Sequence, residues 1–523
     1  MNIEHTKFQP ITKHELEAIF IKRVSQNAYT PAKRIQQKEI SVKVSGIQSG
    51  TRYSTALLAP IIFDECIFNE SIEIRDTVAD GEVTFIDCIF NFPVKIFLNN
   101  SGFQGNCVFN SDVTIQSNKK VNTEFAGYNV KGVFMFIGET GVLVLKNINQ
   151  NQPIEEQSIN INVNCSGLIV QGVGAKSIKF SDGRALNGEI TCSEINVSEF
   201  IMGIFSLNSE MSISNSKIDE LQVQKVIGDI RSLKIAESRI GKVELPMNAL
   251  FKTSFIRSSI ESLILIDQNE KDSILNIEKT TIKKLQFERV INNGLISMKE
   301  LNIPIDGLIA FKSSNLGKAD FIYCDFSKAI LDFENSKITE AFFSETEFPR
   351  TVLVDGQVNH GQAQLTFGQL ATAFQKQGDN IRTLEFNSRE LDAHYKTISW
   401  FSSRFFQKVS LWLNAVSNNF GRDWFRATIF SLGVGFVFFC LLLISTNMYR
   451  WGFPSFDSRM LPAYLKFMNP LRFFELEAMF NNTPAQEKIK LTELSYLADF
   501  GGRIFIAYGY YQTIQAFRRF GRK

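Results

Sequence analysis

The chain has 523 residues and a formal net charge of +2, so it lacks the strong overall positive charge of many nucleic-acid-binding proteins. This length allows two or three domains, each with a sizeable core. Phenylalanine is frequent, with 48 residues, which indicates one apolar residue type reused at equivalent positions of a repeat.

The N-terminal segment, residues 1–59, has no apolar run behind its charges, so we expect no secretory signal and interpret it as a cap. Seven cysteines are scattered without a CxxC pair, which favours a reducing cytoplasm. Only four histidines are present, and no Ser-His-Asp or Cys-His arrangement can be assembled from them. We therefore expect no enzyme, no metal site and no cofactor.

A repeat with a period near 22 residues begins after the cap. Three segments align without gaps: DECIFNESIEI (64–74), IDCIFNFPVKI (86–96) and GNCVFNSDVTI (105–115). The alignment makes Cys66, Cys88 and Cys107 equivalent, at offsets of 22 and 19 residues. We predict that these cysteines are small, inward-facing members of a stacked column.

A second form of the repeat starts with an isoleucine, followed by apolar residues three and five positions later. Its leading isoleucines, 22, 20 and 22 residues apart, are Ile218, Ile240, Ile260 and Ile282. Around Ile291 to Ala310 the pattern predicts an insertion, which delays the next repeat to Leu316. From there to Phe348, apolar residues recur every five positions.

Short alternating strands, broken by Asn, Ser, Gly and Asp, extend over residues 60–349 without helical periodicity. They predict a right-handed β-helix, a solenoid with about 20–22 residues per coil. The repeats resemble those of pentapeptide-repeat and related β-helix proteins. Because the five-residue register is regular only near 316–348, we expect a less square cross-section elsewhere.

Basic residues recur on neighbouring coils and suggest an anion-binding ladder: Lys217, Arg239, Arg257, Lys279, Lys283 and Lys284. Carboxylates lie beside them in the sequence, so a solvated face of mixed charge is the favoured interpretation.

After Pro349 the apolar spacing changes to three and four residues, which predicts a helical hairpin in a segment of residues 350–420. Gly378 to Asn380 make the turn, with Asp379 or Asn380 as the cap of the second helix. A third helix is predicted from Phe401 to Val416. Tryptophans and cations around it predict an interfacial collar, with a helical packing layer as the alternative: Trp400, Trp412, Trp424, Arg404, Lys408, Arg422 and Arg426.

Residues 427–445, ATIFSLGVGFVFFCLLLIS, contain no charge. As a helix they would span about 28 Å, which matches a hydrocarbon core. We predict a transmembrane helix, the first of two in a domain of residues 421–523. Ser431 and Gly435 offer a small-residue face for another helix, within the chain or between chains.

A second crossing is predicted from Phe500 to Phe517, which leaves residues 446–499 as an extracytoplasmic loop. Within that loop, residues 471–480 are interpreted as a short helix on the outer surface or re-entering beside a pore. The terminal cluster of Arg518, Arg519, Arg522 and Lys523 predicts a cytoplasmic C-terminus by the positive-inside rule. We expect a bacterial inner-membrane protein with both termini in the cytoplasm.

Polar residues of the second crossing are predicted to line a pore: Arg503, Tyr508, Tyr511, Gln512 and Gln515. Two alternatives remain open: Arg503 pairs with Asp499, and the glutamines bond to the first crossing in a packed anchor. Two crossings enclose no water, so a conduit would require a homo-oligomer, for which four chains are our guess.

The hairpin, the uncharged crossing and the terminal RIFIAYGYYQTIQAFRRFGRK resemble the ends of bacterial pentapeptide-repeat-like β-helix membrane proteins. The layout also resembles, less closely, the Hailong antiphage membrane channel effector, in which a nucleotidyltransferase product controls a membrane channel. That resemblance implies an oligonucleotide bound to the cytosolic part. Candidate ligand-binding residues, with a solvated helix face as the alternative, are Lys376, Arg382, Phe386, Arg389 and Lys396.

Two functions are consistent with the sequence. The first is an oligomeric membrane channel or pore-forming effector, gated through a cytosolic β-helix sensor in antiphage defence by a nucleotide or oligonucleotide. The second is a membrane-tethered β-helix scaffold that binds a protein partner and does not conduct.

Overall fold

The chain divides into two compact units, Met1–Pro349 and Arg350–Lys523, with the break where the sequence pattern changes. Most of the predicted cap and much of the predicted extracytoplasmic loop lie outside the described residues. The computed structural model describes residues 9–16, 18, 33–36, 38–40, 44–45, 61–74, 83–98, 102–118, 123–149, 157–180, 189–202, 210–223, 232–249, 251–350, 352–354, 357–446, 460–472, 476, 479 and 491–521.

The first unit is a β-solenoid of about 11 turns. Its described strands pair in parallel with strands one coil away in the sequence, the arrangement expected when a chain coils repeatedly on itself. The right-handedness of the coil stays a prediction.

Two long sheets run along the solenoid. The first contains Val44–Ser45, Ile72–Ile74, Val94–Leu98, Val113–Asn118, Val133–Glu139, Ser158–Asn164, Gly174–Phe180, Asn196–Met202, Lys217–Val223, Arg239–Pro246, Ser259–Gln268, Thr281–Ile291, Leu308–Lys312 and Ile330–Glu334. The second contains Thr123–Ala126, Val142–Lys146, Gly167–Gln171, Glu189–Ser193, Glu210–Ser214, Ser232–Ala236, Lys252–Ile256, Ile274–Glu278, Leu295–Lys299, Ala319–Ile322 and Phe342–Ser344.

Two shorter sheets belong to the early coils. One contains Lys33–Gln36, Ile61–Asp64, Val83–Ile86 and Gly102–Gln104. The other contains Gln9–Pro10, Lys38–Ile40, Ile67–Phe68, Ile89–Phe90, Val108–Phe109 and Asn129–Val130. A short 3₁₀ helix, Met247–Ala249, follows one strand of the first long sheet.

The strand register confirms both forms of the predicted repeat. Phe90 pairs with Phe68 on one side and with Phe109 on the other, as the aligned segments require. The leading isoleucines of the second form also pair in succession: Ile218, Ile240, Ile260 and Ile282. The residues at five-residue spacing from Leu316 to Phe348 are buried.

The insertion predicted around Ile291 to Ala310 is confined to a few residues, because most of this stretch contributes strands to both long sheets. Leu295–Lys299 continues the second sheet, and Ile309 pairs with Leu285 in the first. Extra residues at Pro304–Gly307, where the Gly307 amide donates to the Pro304 carbonyl at 2.9 Å, displace the apolar pattern. The spacing therefore shifts although the coil itself is complete.

A left-handed residue turns the chain at the corner after each later strand of the second long sheet. These residues, with φ between 47° and 55°, are Glu194, Asn215, Glu237, Arg257, Lys279, Glu300, Tyr323 and Glu345. At several corners a buried Ser or Thr follows and donates its hydroxyl to the carbonyl two residues earlier, as Ser238 does to Ala236 at 2.8 Å. This bond satisfies a carbonyl at a place where the strand has ended.

Cysteines occupy the same kind of corner position. The thiols of Cys66, Cys88, Cys107 and Cys324 are buried and donate to backbone carbonyls at 3.3–3.7 Å. The prediction of small, inward-facing members of a stacked column is therefore confirmed for Cys66, Cys88 and Cys107, which lie on successive coils. Burial raises the pKa of Cys107 to about 12 and that of Cys324 to about 11, so both thiols stay protonated at neutral pH.

Charges on the solenoid surface are paired between neighbouring coils. Arg257 lies 3.4 Å from Glu237, and Lys279 lies 3.7 Å from Glu300. These pairs place carboxylates beside two members of the predicted basic ladder, as a face of mixed charge requires.

The second unit begins with a short antiparallel strand pair, Val352–Val354 and Gln357–Val358, and continues as helices. The helices are α1 (His360–Gln377), α2 (Asn380–Thr397), α3 (Phe405–Asn418), α4 (Trp424–Ser445), α5 (Leu461–Phe467) and α6 (Glu493–Gly521). Asp379 caps α2, since its carboxylate accepts the Arg382 amide at 3.0 Å. Because α6 begins at Glu493, residues 493–499 of the predicted extracytoplasmic loop are helical.

Candidate functional site

Helix α4 has the composition of a membrane-spanning segment. Among the residues that the structure describes, it is the one helix long and apolar enough to cross a bilayer. Large apolar side chains on its outside are exposed: Ile429, Leu432, Phe436, Val437 and Leu441. A contiguous apolar surface of this kind supports membrane association.

Helices α4 and α6 approach each other closely at small residues. A methyl group at Gly509 would lie 2.2 Å from Ser431 Oγ, so only glycine allows this approach. Gly435 lies against Ile506 of α6 and against Met468, which follows α5. Ser431 and Gly435, the predicted small-residue face, are therefore in contact with other parts of the same chain.

A polar network joins α6 to α3. Gln512 donates its amide to Asn414 Oδ1 at 2.9 Å and accepts from Asn418 Nδ2 at 2.5 Å, and Tyr508 donates to Asn414 Oδ1 at 3.3 Å. Gln512 is only 3% exposed. Its amide is bonded to α3, whereas the anchor alternative placed its partners on the first crossing.

The remaining candidates for a pore lining lie elsewhere on α6. Tyr511 is 61% exposed, on the outside of the helix, and Gln515 is half-buried. Arg503 bonds Asp499 at 3.0 Å, which is the ion pair considered as its alternative. Within one chain the five candidates do not share a single exposed face, and their role as a pore lining stays a prediction.

A buried ion pair at the same end of α6 was not anticipated from the sequence. The Arg472 side chain is fully buried, pairs with Asp499, and lies over the Phe467 ring at 4.6 Å. Asp499 thus faces two arginines, since Arg503 bonds its other oxygen. The sequence around Arg472 mixes apolar and charged residues and does not indicate burial. Only its pairing with Asp499, far away in the sequence on α6, distinguishes Arg472 from a surface arginine.

The helix pair α1 and α2 contains the candidate ligand-binding residues. Phe386 is 1% exposed and stacks on Phe374 at 5.3 Å between ring centroids. Arg389 covers the Phe386 ring at 5.0 Å and bonds Glu385 at 2.8 Å. The ring proposed for base stacking is therefore enclosed by its own chain.

The other cations of this group also have carboxylate neighbours or lie at the surface. Arg382 bonds Glu385 at 3.3 Å, and Lys396 bonds Asp392 at 2.7 Å. Lys376 is exposed near the end of α1. Because burial lowers the pKa of Arg389, its charge carries a desolvation cost that Glu385 offsets. A ligand role for these residues stays a prediction.

Partial burial in the groove between α1 and α2 shifts the pKa of one carboxylate, that of Glu390. Burial raises the pKa of Glu390, so the folded chain holds this proton at a higher pH than the unfolded chain. The contribution of Glu390 to stability therefore falls as the pH rises from the pKa of Glu390 in the unfolded chain through its higher pKa in the folded chain. We expect Glu390→Gln to remove this decrease, measured as the difference in unfolding free energy from the parent chain across pH. An unchanged pH dependence would contradict this account.

The predicted interfacial collar is corrected at one residue. Trp400, Trp412 and Trp424 are each partly exposed, as a collar requires. Lys408, however, is 5% exposed, and its ammonium lies 3.6 Å from the centre of the Tyr395 ring. Its charge is engaged inside the helical unit by an aromatic ring and by the Tyr395 carbonyl, so it does not meet lipid headgroups.

Two open concave surfaces on the described residues are lined mainly by polar residues. A cleft of about 950 Å³ on the solenoid is lined by Asn248, Asp267, Gln268, Asn269, Glu270, Lys271 and Asn293. The groove between α1 and α2 measures about 340 Å³. Within the described parts of the chain, no three His, Cys, Asp or Glu side chains form a group suited to a metal ion.

No protein-family model matches the chain, and no curated protein or solved structure matches it either. The β-solenoid is consistent with the pentapeptide-repeat-like resemblance, whereas the resemblance to the Hailong effector has no support from a family match.

Proposed function

We propose that this chain is a membrane-tethered β-solenoid scaffold, in which α4 and α6 cross the bilayer as a packed pair. The observation that carries the proposal is the bonding of Gln512 to Asn414 and Asn418 inside the chain. A polar side chain that finds its partners within the protein is tolerated beside lipid, whereas an unpaired one costs several kcal/mol.

The outside of α6 supports the same proposal. Its exposed apolar residues include Leu497, Phe500, Ile504, Ile514 and Phe517. Two of its charged residues, Arg503 and Asp499, are paired with each other. A helix too polar on average to qualify as a span can thus present apolar side chains to lipid.

The expected orientation follows from the positive charges. Arg422 precedes α4, Arg426 lies in its first turn, and Arg518 lies near the end of α6, so one end of the helix pair is basic. By the positive-inside rule this end faces the cytoplasm, together with the solenoid. About 11 coils at ~4.8 Å each would give the solenoid a length of roughly 50 Å on which a protein partner could bind.

Reconstitution of the full chain tests this function. We expect the protein to resist extraction from membranes by alkaline carbonate and to release no entrapped dye or ions from liposomes. Complete extraction would exclude the tether, and ion release by the purified protein would exclude the non-conducting scaffold.

Replacing Gln512 by leucine separates the network from a pore lining. The change leaves Asn414 and Asn418 without their shared partner, so we expect the unfolding free energy in detergent micelles to fall by about 1–3 kcal/mol. Gln515→Leu, on the same helix but without a hydrogen bond to α3, is the matched control and should change it by less than about 0.5 kcal/mol. Equal losses from the two variants would contradict the network.

A second candidate function is the oligomeric channel, which one observation favours. Tyr511, Gln515 and Arg518 follow one another at four- and three-residue spacing on α6, so their side chains lie along one side of the helix. In a homo-oligomer this stripe would face the same stripe of another chain and enclose water. A channel gated by an oligonucleotide predicts ion flux that changes when the nucleic acid is added, and no flux under any condition would exclude it.

A further inference from the structure

Helix α5 packs on the middle of α4. The Tyr464 hydroxyl donates to the Leu432 carbonyl at 2.8 Å, and Met468, just after α5, lies against Gly435. Gly435 is 11 residues from Trp424 and 10 from Ser445, the two ends of α4. The turn after α5 therefore lies about 15 Å below the Ser445 end, halfway along the apolar helix.

The connection between α4 and α6 starts and finishes at that same end. Ser445, the last residue of α4, bonds Ser495 near the start of α6, with 2.8 Å between their hydroxyl oxygens. A segment that lies between them in sequence and contacts Gly435 must descend along the pair and return. On the membrane-inserted pair this geometry is re-entry from one face.

The backbone that turns after α5 has donors for its carbonyl groups. Tyr510 donates its hydroxyl to the Met468 carbonyl at 3.0 Å, and Arg472 donates to the Phe467 carbonyl. Arg503 in turn donates to the Arg472 carbonyl at 3.2 Å. Non-helical backbone at membrane depth is tolerated where protein groups satisfy it in this way.

Lys466 is the one exposed charged side chain of Met460–Arg472, and hydrocarbon would not accept its charge. It is exposed on α5, two residues before Met468, and no ion pair joins it to another described residue. Its neighbour Leu465 is 60% exposed and apolar. An ionised lysine near mid-depth almost always faces protein or a water-filled cavity, because its desolvation in hydrocarbon is costly.

This inference rests on the proposed membrane insertion of α4 and α6. We propose that Met460–Arg472 is a re-entrant membrane segment that carries Lys466 into a water-filled recess. The segment enters from the Ser445 end, turns at Met468 and is held by Arg472 on Asp499. Leu465 faces hydrocarbon, whereas Lys466 faces water at nearly the same depth. The cationic recess would attract small inorganic anions.

Nitroxide labels on the full chain in liposomes test both parts. One cysteine at a time replaces Leu465, Lys466, Val437 or Leu494 in a Cys440→Ser background, whose six remaining cysteines are buried in the solenoid and shielded from the label. Collisions of the label with oxygen and with a water-soluble nickel chelate report depth and hydration. We expect the label at 465 to be as deep and as oxygen-accessible as the label at 437 on α4. The label at 466 should instead collide with the nickel chelate, although its neighbour does not.

Each other outcome overturns a defined part. A label at 465 as shallow as that at 494 would exclude re-entry while leaving the spanning helix intact. A label at 466 that meets oxygen but not the chelate would exclude the recess. If the label at 437 itself lay in water, the proposed membrane tether would fail. Modification of Lys466→Cys, but not Leu465→Cys, by a membrane-impermeant thiol reagent is the second readout.

Discussion

Replacing Arg472 by alanine is expected to lower the unfolding free energy of the helical unit by about 3–5 kcal/mol. The Arg472 side chain is fully buried and Asp499 is 8% exposed, so its removal leaves a carboxylate without its buried counter-charge. The Phe467 carbonyl loses its donor at the same time. Equilibrium unfolding of the full chain in detergent micelles, followed by helical circular dichroism, measures the loss.

Arg503→Ala is the matched control, because Arg503 bonds the same carboxylate from a more exposed position. Its side chain is 34% exposed, so we expect a loss of about 1 kcal/mol or less. In the double variant Arg472→Leu with Asp499→Leu, removal of both charges should recover much of the stability. Similar losses from the two arginine variants, or no recovery, would contradict a buried pair that holds the segment.

The solenoid could be predicted from the sequence because its repeats bring equivalent residues into register. Phe68, Phe90 and Phe109 stand at nearly constant intervals, and parallel pairing one coil apart follows directly from that interval. The same reasoning failed near Pro304, where a few extra residues shift the spacing without interrupting the coil. A periodic sequence pattern is recognised only where successive coils have the same number of residues, whereas strands still pair when the turns between them differ in length.

The helical unit could be predicted only in part, for a different physical reason. Helical spacing correctly puts Tyr508 and Gln512 on one side of α6, but it does not identify the surface that this side meets. That surface is α3, where Asn414 and Asn418 occupy positions i and i+4 of an amphipathic helix. This i and i+4 spacing of two asparagines could have indicated the contact between the helices. It does so only when the polar side of α3 is considered together with that of α6.

Replacing Phe90 by alanine should have a comparably large effect in the solenoid. Its ring stacks on Phe68 at 4.9 Å and on Phe109 at 4.8 Å, and it contacts Phe85 at 5.3 Å. The alanine leaves a cavity, and the rigid sheets restrict its collapse. We therefore expect the opening free energy of the surrounding coils, measured by native-state hydrogen exchange, to fall by about 3–5 kcal/mol.

The control for this cavity is Phe92, two residues further along the same coil. It is 47% exposed, whereas Phe90 is 1% exposed, so Phe92→Ala should change the protection by less than about 0.5 kcal/mol. In a solenoid each coil contacts chiefly its neighbours, so the loss at Phe90 should be largest in adjacent coils and fade towards Phe348. A uniform loss along the whole solenoid would instead mean that it unfolds as one cooperative unit.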